Sequence, residues 1–308
     1  MRVLVTGGTG YLGRAIVLAV ARHGHHPVVF SRRARASGLP GTLVDGDIRD
    51  VSAVSAAAAD VQAVCHAAAL VSAWRPRRSE FDEVNVGGLR TVLAVCEERR
   101  IPRLVYTSSF LALPPADGTA ALSANDYQRT KAAAREVAAQ AARRGLPIVS
   151  LFPGVIYGPG VATEGNLVGR LISDHRARRL PGLIGADLPW SYAFVADVAD
   201  AHVAALERSG LAAEYTLGGV NVPQMRVFEI LRGLIGTPLP RRIPFPVAQA
   251  IGIAEEMRSA IVKRPPLLTR GIVEIFRHDW SLGSAEAVRD LGYRITPLEE
   301  GIARILGR

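Results

Sequence analysis

The pentapeptide "YQRTK" sets Tyr127 four residues ahead of Lys131. On a helix that spacing puts both side chains on one face. A free phenol titrates near pH 10, too high for efficient proton transfer at neutral pH. A neighbouring ammonium favours the phenolate and is expected to lower that value. Only two of the 37 basic residues are lysines, Lys131 and Lys263, so a lysine where arginine is the habit is informative. Ser109, in "VYTSSF" eighteen positions before Tyr127, could hydrogen-bond the same substrate oxygen. A phenol, an ammonium and a hydroxyl together suit acid–base work at an oxygen that alternates between alcohol and carbonyl.

That chemistry needs a hydride carrier, and the first 33 residues offer a place for one. "RVLVT" runs into Gly7-Gly8-Thr9-Gly10-Tyr11-Leu12-Gly13 and then a helical pattern. Gly7 permits a tight turn, Gly10 lets the backbone approach a pyrophosphate, and Gly13 lets the helix pack closely on the sheet. The helix N-terminus adds unpaired N–H groups for phosphate. The second apolar run ends Ser31-Arg32-Arg33, with no acidic residue to bind a ribose 2′-hydroxyl. Two guanidiniums suit a 2′-phosphate, so the expected cofactor is NADP(H). In "GDIRD", Asp47 could accept from an adenine amino group with Ile48 against the ring; a turn with a helix cap at Asp47 or Asp50 explains the same residues.

The elements that must hold these groups alternate. Strands are expected at 3–6, 27–30, 42–45, 63–67, 103–108 and 147–152, with helical stretches such as 13–23 and 81–99 between them. The pattern implies right-handed crossovers and an α/β, doubly wound parallel sheet of Rossmann type. After Pro153 the chain is richer in Gly, Pro and Arg, returns to strand-then-helix over 191–206 with a further strand at 214–217, and is mainly helical from Pro223. The expected division is a cofactor-binding core over 1–155, rejoined by 191–219, and a smaller C-terminal substrate lobe of 156–190 and 220–308.

Composition narrows the classes. Nearly half of the 308 residues are hydrophobic, ample for a large core. No apolar run approaches the ~20 residues of a membrane span, and a chain that starts in a strand leaves no room for a secretory leader. Cys65 and Cys96 suggest neither a disulfide framework nor a metal site, and the histidines show no metal spacing. The net charge of +9 is scattered, with no basic run interleaved with aromatics. A cytoplasmic protein follows, with no nucleic-acid partner, no membrane span and no metal.

The motifs together resemble the extended short-chain dehydrogenase/reductase family, in the superfamily of NAD-dependent epimerases and dehydratases. "TGGTGYLG", "GDIRD", "HAAA", "NVGGLRTVL", "VYTSS", "YQRTK", "FPGVIYGPG" and "FVADVADAH" occur in family order from residue 5 to about 202. The ending, with "IPFPVAQAIG", "RPPLLTR" and "WSLGSAEAVRDLGYRITPLEEGI", is similar to 3β-hydroxysteroid dehydrogenase-like and dihydroflavonol reductase-like members. The resemblance implies Ser109, Tyr127 and Lys131 as the catalytic trio. It implies Thr9, Tyr11 and Leu12 beside the cofactor with the glycines, Ala67 and Ala68 along its nicotinamide ribose, and Pro153, Gly154 and Val155 near the nicotinamide. Asn85 would secure a structural water or backbone turn. Phe152 departs from the family, where many relatives have arginine.

Ser109 is followed by Phe110-Leu111-Ala112-Leu113 rather than the acidic pair of family dehydratases, which argues against dehydration, and the Val-Tyr-Gly segment that many sugar-nucleotide epimerases carry there is also missing. Trp74, Phe152, Trp190 and Tyr192, with the leucines of 158–188 and Phe245, suggest an apolar pocket. The expected activity is therefore NADP(H)-dependent reduction of a bulky apolar ketone, steroid-, flavonoid- or aryl-type, or oxidation of the matching secondary alcohol. A sugar-nucleotide epimerase and a non-catalytic NADP(H)-binding sensor are the alternatives. The helices carrying Asn85 and Lys131 could pack into a homodimer.

Overall fold

The protein is described from a computed structural model that covers residues 1–118, 122–161 and 163–308. The first half is laid down as β1 (Arg2–Thr6), α1 (Tyr11–Arg22), β2 (His26–Ser31), β3 (Thr42–Asp45), α2 (Val51–Ala57), β4 (Ala63–His66), α3 (Ser79–Phe81), α4 (Gly88–Glu98), β5 (Leu104–Thr107), α5 (Asp126–Arg143) and β6 (Ile148–Pro153). The second half continues with β7 (Val155–Tyr157), α6 (Leu167–Arg176), β8 (Leu183–Ile184), β9 (Pro189–Phe194), α7 (Val195–Glu207), β10 (Glu214–Leu217), β11 (Val220–Pro223), α8 (Gln224–Ile235), β12 (Arg242–Ile243), α9 (Phe245–Val262), α10 (Arg270–Ile275), α11 (Ala285–Leu291) and α12 (Leu298–Ile305).

Seven strands form one sheet in the order β10-β6-β5-β4-β1-β2-β3, and every pairing in it is parallel. The expected α/β doubly wound sheet is therefore present, with a smaller helical lobe toward the C-terminus. Parallel strands covered on both faces read as continuous apolar runs; β4, "AVCH", and β5, "LVYT", are buried at every position. One core lies between the sheet and α1, α7 and α11, another between the sheet and α2, α4 and α5. Cys65 and Cys96 are free and buried in these cores. A third apolar cluster joins β7, β9, α6, α8 and α12 into the lobe.

Residues 81–99, expected as one helix, are broken by a π-helical turn at Asp82–Gly87 before α4 begins. Wider turns of this kind often occur at functional sites. Here the turn contains Asn85, whose Oδ1 accepts from the Leu70 amide at 2.7 Å and whose Nδ2 donates to Thr130 Oγ1 at 3.0 Å. Asn85 secures a backbone turn and ties it to the residue immediately before Lys131.

Candidate active site

Because the sheet is parallel, the carboxyl ends of β1, β2, β4, β5 and β6 share one edge, and the sequence-selected residues gather there. Gly7 follows β1 with φ +69°, and a Cβ on it would lie 2.6 Å from Ala68 Cα. A Cβ on Gly13 would lie 2.1 Å from the Gly7 carbonyl oxygen, so the α1 start can nest into the turn only with glycine there. At Gly10 an added Cβ would meet only the Gly7 oxygen, at 3.2 Å, and the residue is exposed. No side chain caps the first turn of α1. Its N–H groups and the open face at Gly10 thus form a cradle that fits a dinucleotide pyrophosphate.

Around this cradle, Leu12 is buried against the sheet, and Tyr11 donates its hydroxyl to the Gly158 carbonyl at 3.0 Å, joining the turn to the loop after β7. Thr9 Oγ1 donates to Ser31 Oγ at 3.0 Å. Ala67 continues β4 by donating its amide to the Thr6 carbonyl at 3.1 Å, while Pro153 and Val155 are buried across the β6–β7 junction. Arg32 and Arg33 are exposed on the turn after β2.

Asp47 is held by its own turn: Arg49 donates Nη2 to Oδ2 at 2.7 Å and Nε to Oδ1 at 2.9 Å. The bond to Arg49 outweighs partial desolvation and lowers the Asp47 carboxyl to about 2. Asp50 caps α2 by accepting from the Ala53 amide at 3.1 Å. Ile48 is buried beside Gly88.

The trio stands at the β5 end. A capping pair starts α5: Asn125 Oδ1 accepts from the Gln128 amide at 2.8 Å, and Gln128 Oε1 accepts from the Ala124 amide at 2.9 Å. Together the Asn125 N-cap and the bond from Gln128 to the preceding residue fix the helix start beside Tyr127. Arg129 pairs with Asp82 at 2.6 Å, fastening α5 to the π turn. Lys131 is 3% exposed and donates from Nζ to the Thr107 carbonyl at 3.1 Å. Burial lowers its pKa to about 8. Tyr127 packs against the lobe cluster; burial raises its phenol to about 12, while a hydrogen bond with Ser109 opposes the rise. The expected lowering of the phenol pKa is therefore corrected: desolvation dominates. Ser109 is buried and its Oγ accepts from the Leu111 amide at 3.2 Å.

Two histidines enter this region unexpectedly. His66 lies at the β4 end, its Nδ1 2.7 Å from Thr6 Oγ1 and its ring stacked on Tyr106 at 5.7 Å between centroids. Desolvation, aided by the Lys131 charge, lowers its pKa to about 3, so it is neutral. His202 meets the Val198 carbonyl through Nδ1 at 2.7 Å and Thr107 Oγ1 through Nε2 at 2.8 Å. The carbonyl can only accept, so Nδ1 carries the proton and Thr107 donates to Nε2. His202 thereby orients the residue whose carbonyl holds Lys131. Neither contact is visible from sequence spacing.

Most of the side chains expected to line an apolar substrate surface are packed into the protein instead. Leu183, Trp190 and Tyr192 are buried inside the lobe cluster, and Leu167, Leu171 and Leu180 pack against it. Phe152 is buried beneath the Arg135 guanidinium, which sits 5.3 Å from its ring centroid. Phe245 is likewise covered by Arg277, at 5.0 Å. A cavity of 490 Å³ beside this segment is instead lined by Gly158, Gly160, Gly169, Ile172, Ser173 and Arg176, among others. Among the described residues no group of His, Cys, Asp and Glu could hold a metal, and no helix is long and apolar enough to cross a membrane.

The fold places the chain among the doubly wound α/β proteins. The model of the NAD dependent epimerase/dehydratase family matches residues 3–218, and the chain belongs to that family. A 2-alkyl-3-oxoalkanoate reductase of Stenotrophomonas maltophilia is 31% identical, with 99% of this chain and 98% of that protein aligned. The UDP-glucose 4-epimerase of Thermus thermophilus, solved in complex with NAD, superposes with a TM-score of 0.73 at 24% identity, covering 100% of this chain and 98% of that one. The UDP-glucose-4-epimerase of Stenotrophomonas maltophila, with bound NAD and formylated UDP-arabinopyranose, gives 0.78 at 23% identity, covering 100% and 97%.

These findings correct the expectations of an NADP(H) cofactor, a ketoreductase activity and a bulky apolar ketone or alcohol substrate. Four solved structures that match along the whole chain hold NAD, three of them together with a UDP-sugar. Arg32 and Arg33 belong to an arginine-rich surface, the field of Arg32 already acts on the Asp47 carboxylate, and Ser31 is engaged by Thr9. Of the side chains proposed for the pocket, Leu183, Trp190 and Tyr192 are buried in the lobe's own core, and Leu167, Leu171 and Leu180 pack against it.

Proposed function

We propose that the chain is an NAD-dependent oxidoreductase that interconverts CH–OH and C=O in a nucleotide sugar and returns the hydride to the same substrate, as an epimerase does. The observation that carries this reading is the assembly of Ser109, Tyr127 and Lys131 at the β5 edge, without an acidic residue after Ser109 to serve dehydration. The similarity to UDP-glucose 4-epimerases supports the substrate class, and the cavity beside Gly158, with Ser173 and Arg176, offers polar groups and a cation for a diphosphate.

In this reading the turn at Gly7, Gly10 and Gly13 holds the NAD pyrophosphate, with Thr9, Tyr11, Leu12, Ala67, Ala68, Pro153 and Val155 along the cofactor. When bound, NAD supplies the acceptor and donor of hydride. Tyr127 exchanges a proton with the reacting oxygen, giving it to an oxyanion when carbonyl becomes alcohol and taking it back in the reverse direction. Ser109 shares its hydrogen bond between the phenol and that oxygen. Lys131 supplies positive charge in a dry setting, where it favours the phenolate more than it would in water.

We assign residues 1–155 and 191–219 to cofactor binding, and 156–190 with 220–308 to the substrate. The finer kinship of the C-terminal segments with the 3β-hydroxysteroid dehydrogenase-like and dihydroflavonol reductase-like branch is a proposal about the descent of the lobe. Two free buried cysteines accord with a reducing, cytoplasmic setting.

The test is incubation with NAD+ and a panel of UDP- and GDP-sugars, followed by chromatography for isomers and absorbance for NADH. Isomers without net NADH support the reading. Net cofactor turnover with ketones, as the name of the Stenotrophomonas reductase would suggest, and no isomers would overturn it.

A further inference from the structure

α9 lies on the surface, yet much of its outward side is apolar. Its inner side is accounted for: Ala248, Gly252 and Ser259 are buried, and Gly252 abuts the Thr269–Arg270 backbone. On its outer side Val247, Ile251, Ile253, Met257, Ile261 and Val262 are all exposed, Met257 to 64% and Ile261 to 81%. At ~100° per residue these six fall within about half the helix circumference. They line a face that runs the length of an 18-residue helix, about 27 Å. Leu267, just beyond the helix, is 87% exposed and extends the patch.

Charge is removed from this face and gathered at its end. Arg258, the charged residue within the arc, is folded onto Glu255 at 2.8 Å, and Glu256 is held by Arg270 at 2.7 Å. Both helix carboxylates are therefore neutralised. Lys263 and Arg264 follow directly and are exposed, with no side-chain hydrogen bond or ion pair among the described residues. An apolar stripe ending in free cations, on a chain of net charge +9, is complementary to an anionic surface with an apolar interior. A second copy is a poorer match, since two chains each carrying +9 repel. The helices where a homodimer contact was expected, α4 and α5, carry none of the exposed large apolar side chains.

We propose that α9 and the Lys263–Leu267 segment form a peripheral docking surface for an anionic lipid bilayer, with the apolar side chains in the headgroup–acyl boundary and Lys263 and Arg264 among the lipid phosphates. The chain rests on the membrane by this face and does not span it.

The experiment is sedimentation of the full chain with phosphatidylcholine vesicles and with vesicles containing about one-third phosphatidylglycerol, alongside light scattering of the protein alone. Binding should favour the anionic vesicles and weaken with salt. Met257→Gln with Ile261→Gln changes only exposed positions and should lower partitioning at least tenfold. Lys263→Glu with Arg264→Glu should do the same on anionic vesicles, about fivefold or more for each cation. Thermal unfolding of each variant should match the parent. Absence of vesicle binding, equal binding by either double variant, or a dimer that Met257→Gln with Ile261→Gln dissolves without any lipid binding would each overturn the proposal.

Discussion

Replacing Lys131 with methionine should abolish turnover and yet stabilise the fold at neutral pH. Burial lowers the Lys131 pKa from 10.5 to about 8. At 1.36 kcal/mol per unit, keeping this ammonium charged in the folded state costs about 3 kcal/mol. Its hydrogen bond to the Thr107 carbonyl at 3.1 Å returns part of that, and leaving the carbonyl unpaired costs roughly 1–3 kcal/mol. Methionine fills similar space without charge, so the variant should gain about 1 kcal/mol at pH 7, a few degrees in Tm at most. The pH dependence is sharper. Because the folded pKa lies below the unfolded one, the unfolded chain binds more protons between pH 8 and 10.5, and the parent becomes more stable as pH rises through that window. The variant lacks this gain. Its advantage should shrink by about 1.4 kcal/mol per pH unit above 8 and reverse by pH 10. Denaturant unfolding followed by circular dichroism at pH 7, 8, 9 and 10 measures the difference. A difference constant from pH 7 to 10, or a variant clearly less stable at pH 7, would refute the claim of a costly buried ammonium.

Tyr127→Phe should keep NAD binding and lose at least ~10²-fold in kcat, the lower end for loss of a general acid; steady-state kinetics with cofactor fluorescence titration separates the two effects. Gly13→Ala places a methyl group 2.1 Å from the Gly7 carbonyl oxygen. It should cost about 1–3 kcal/mol of stability and weaken NAD binding, seen by thermal unfolding and calorimetry. Arg32→Ala with Arg33→Ala should leave NAD affinity within about threefold, because these exposed guanidiniums serve no NAD phosphate in this account; calorimetry with NAD+ and NADP+ checks both that and the parent's preference for NAD+. Loss of NAD+ binding in the double variant would count against it.

Much of the fold was legible because parallel sheets announce themselves: apolar runs such as β1, ending at a glycine turn, have few other structural uses. Tyr127, Lys131 and Ser109 were legible because their types and spacing are chemically specific, and the Asn125–Gln128 capping pair was available in the same segment. Other features carried no local signal. The π turn at Asp82–Gly87 lies within a stretch that reads as one helix. Thr107 holds Lys131 through a backbone carbonyl, which no residue type advertises. His66 and His202 act on threonines 60 and 95 positions away. The lobe misled for a physical reason: Leu183 and Trp190 look the same in sequence whether they line a pocket or fill a core, and they fill a core. Arg32 and Arg33 misled because an arginine-rich chain places guanidiniums at exposed turns without a phosphate to bind.

The central claim, reversible hydride transfer on a nucleotide sugar with NAD retained, is tested most directly by nuclear magnetic resonance of a UDP-sugar incubated with the protein and NAD+. The account predicts a new sugar isomer that grows to equilibrium, no accumulation of NADH, and no isomer with Tyr127→Phe. Unchanged UDP- and GDP-sugars, with stoichiometric oxidation of reduced cofactor by a ketone, would contradict it.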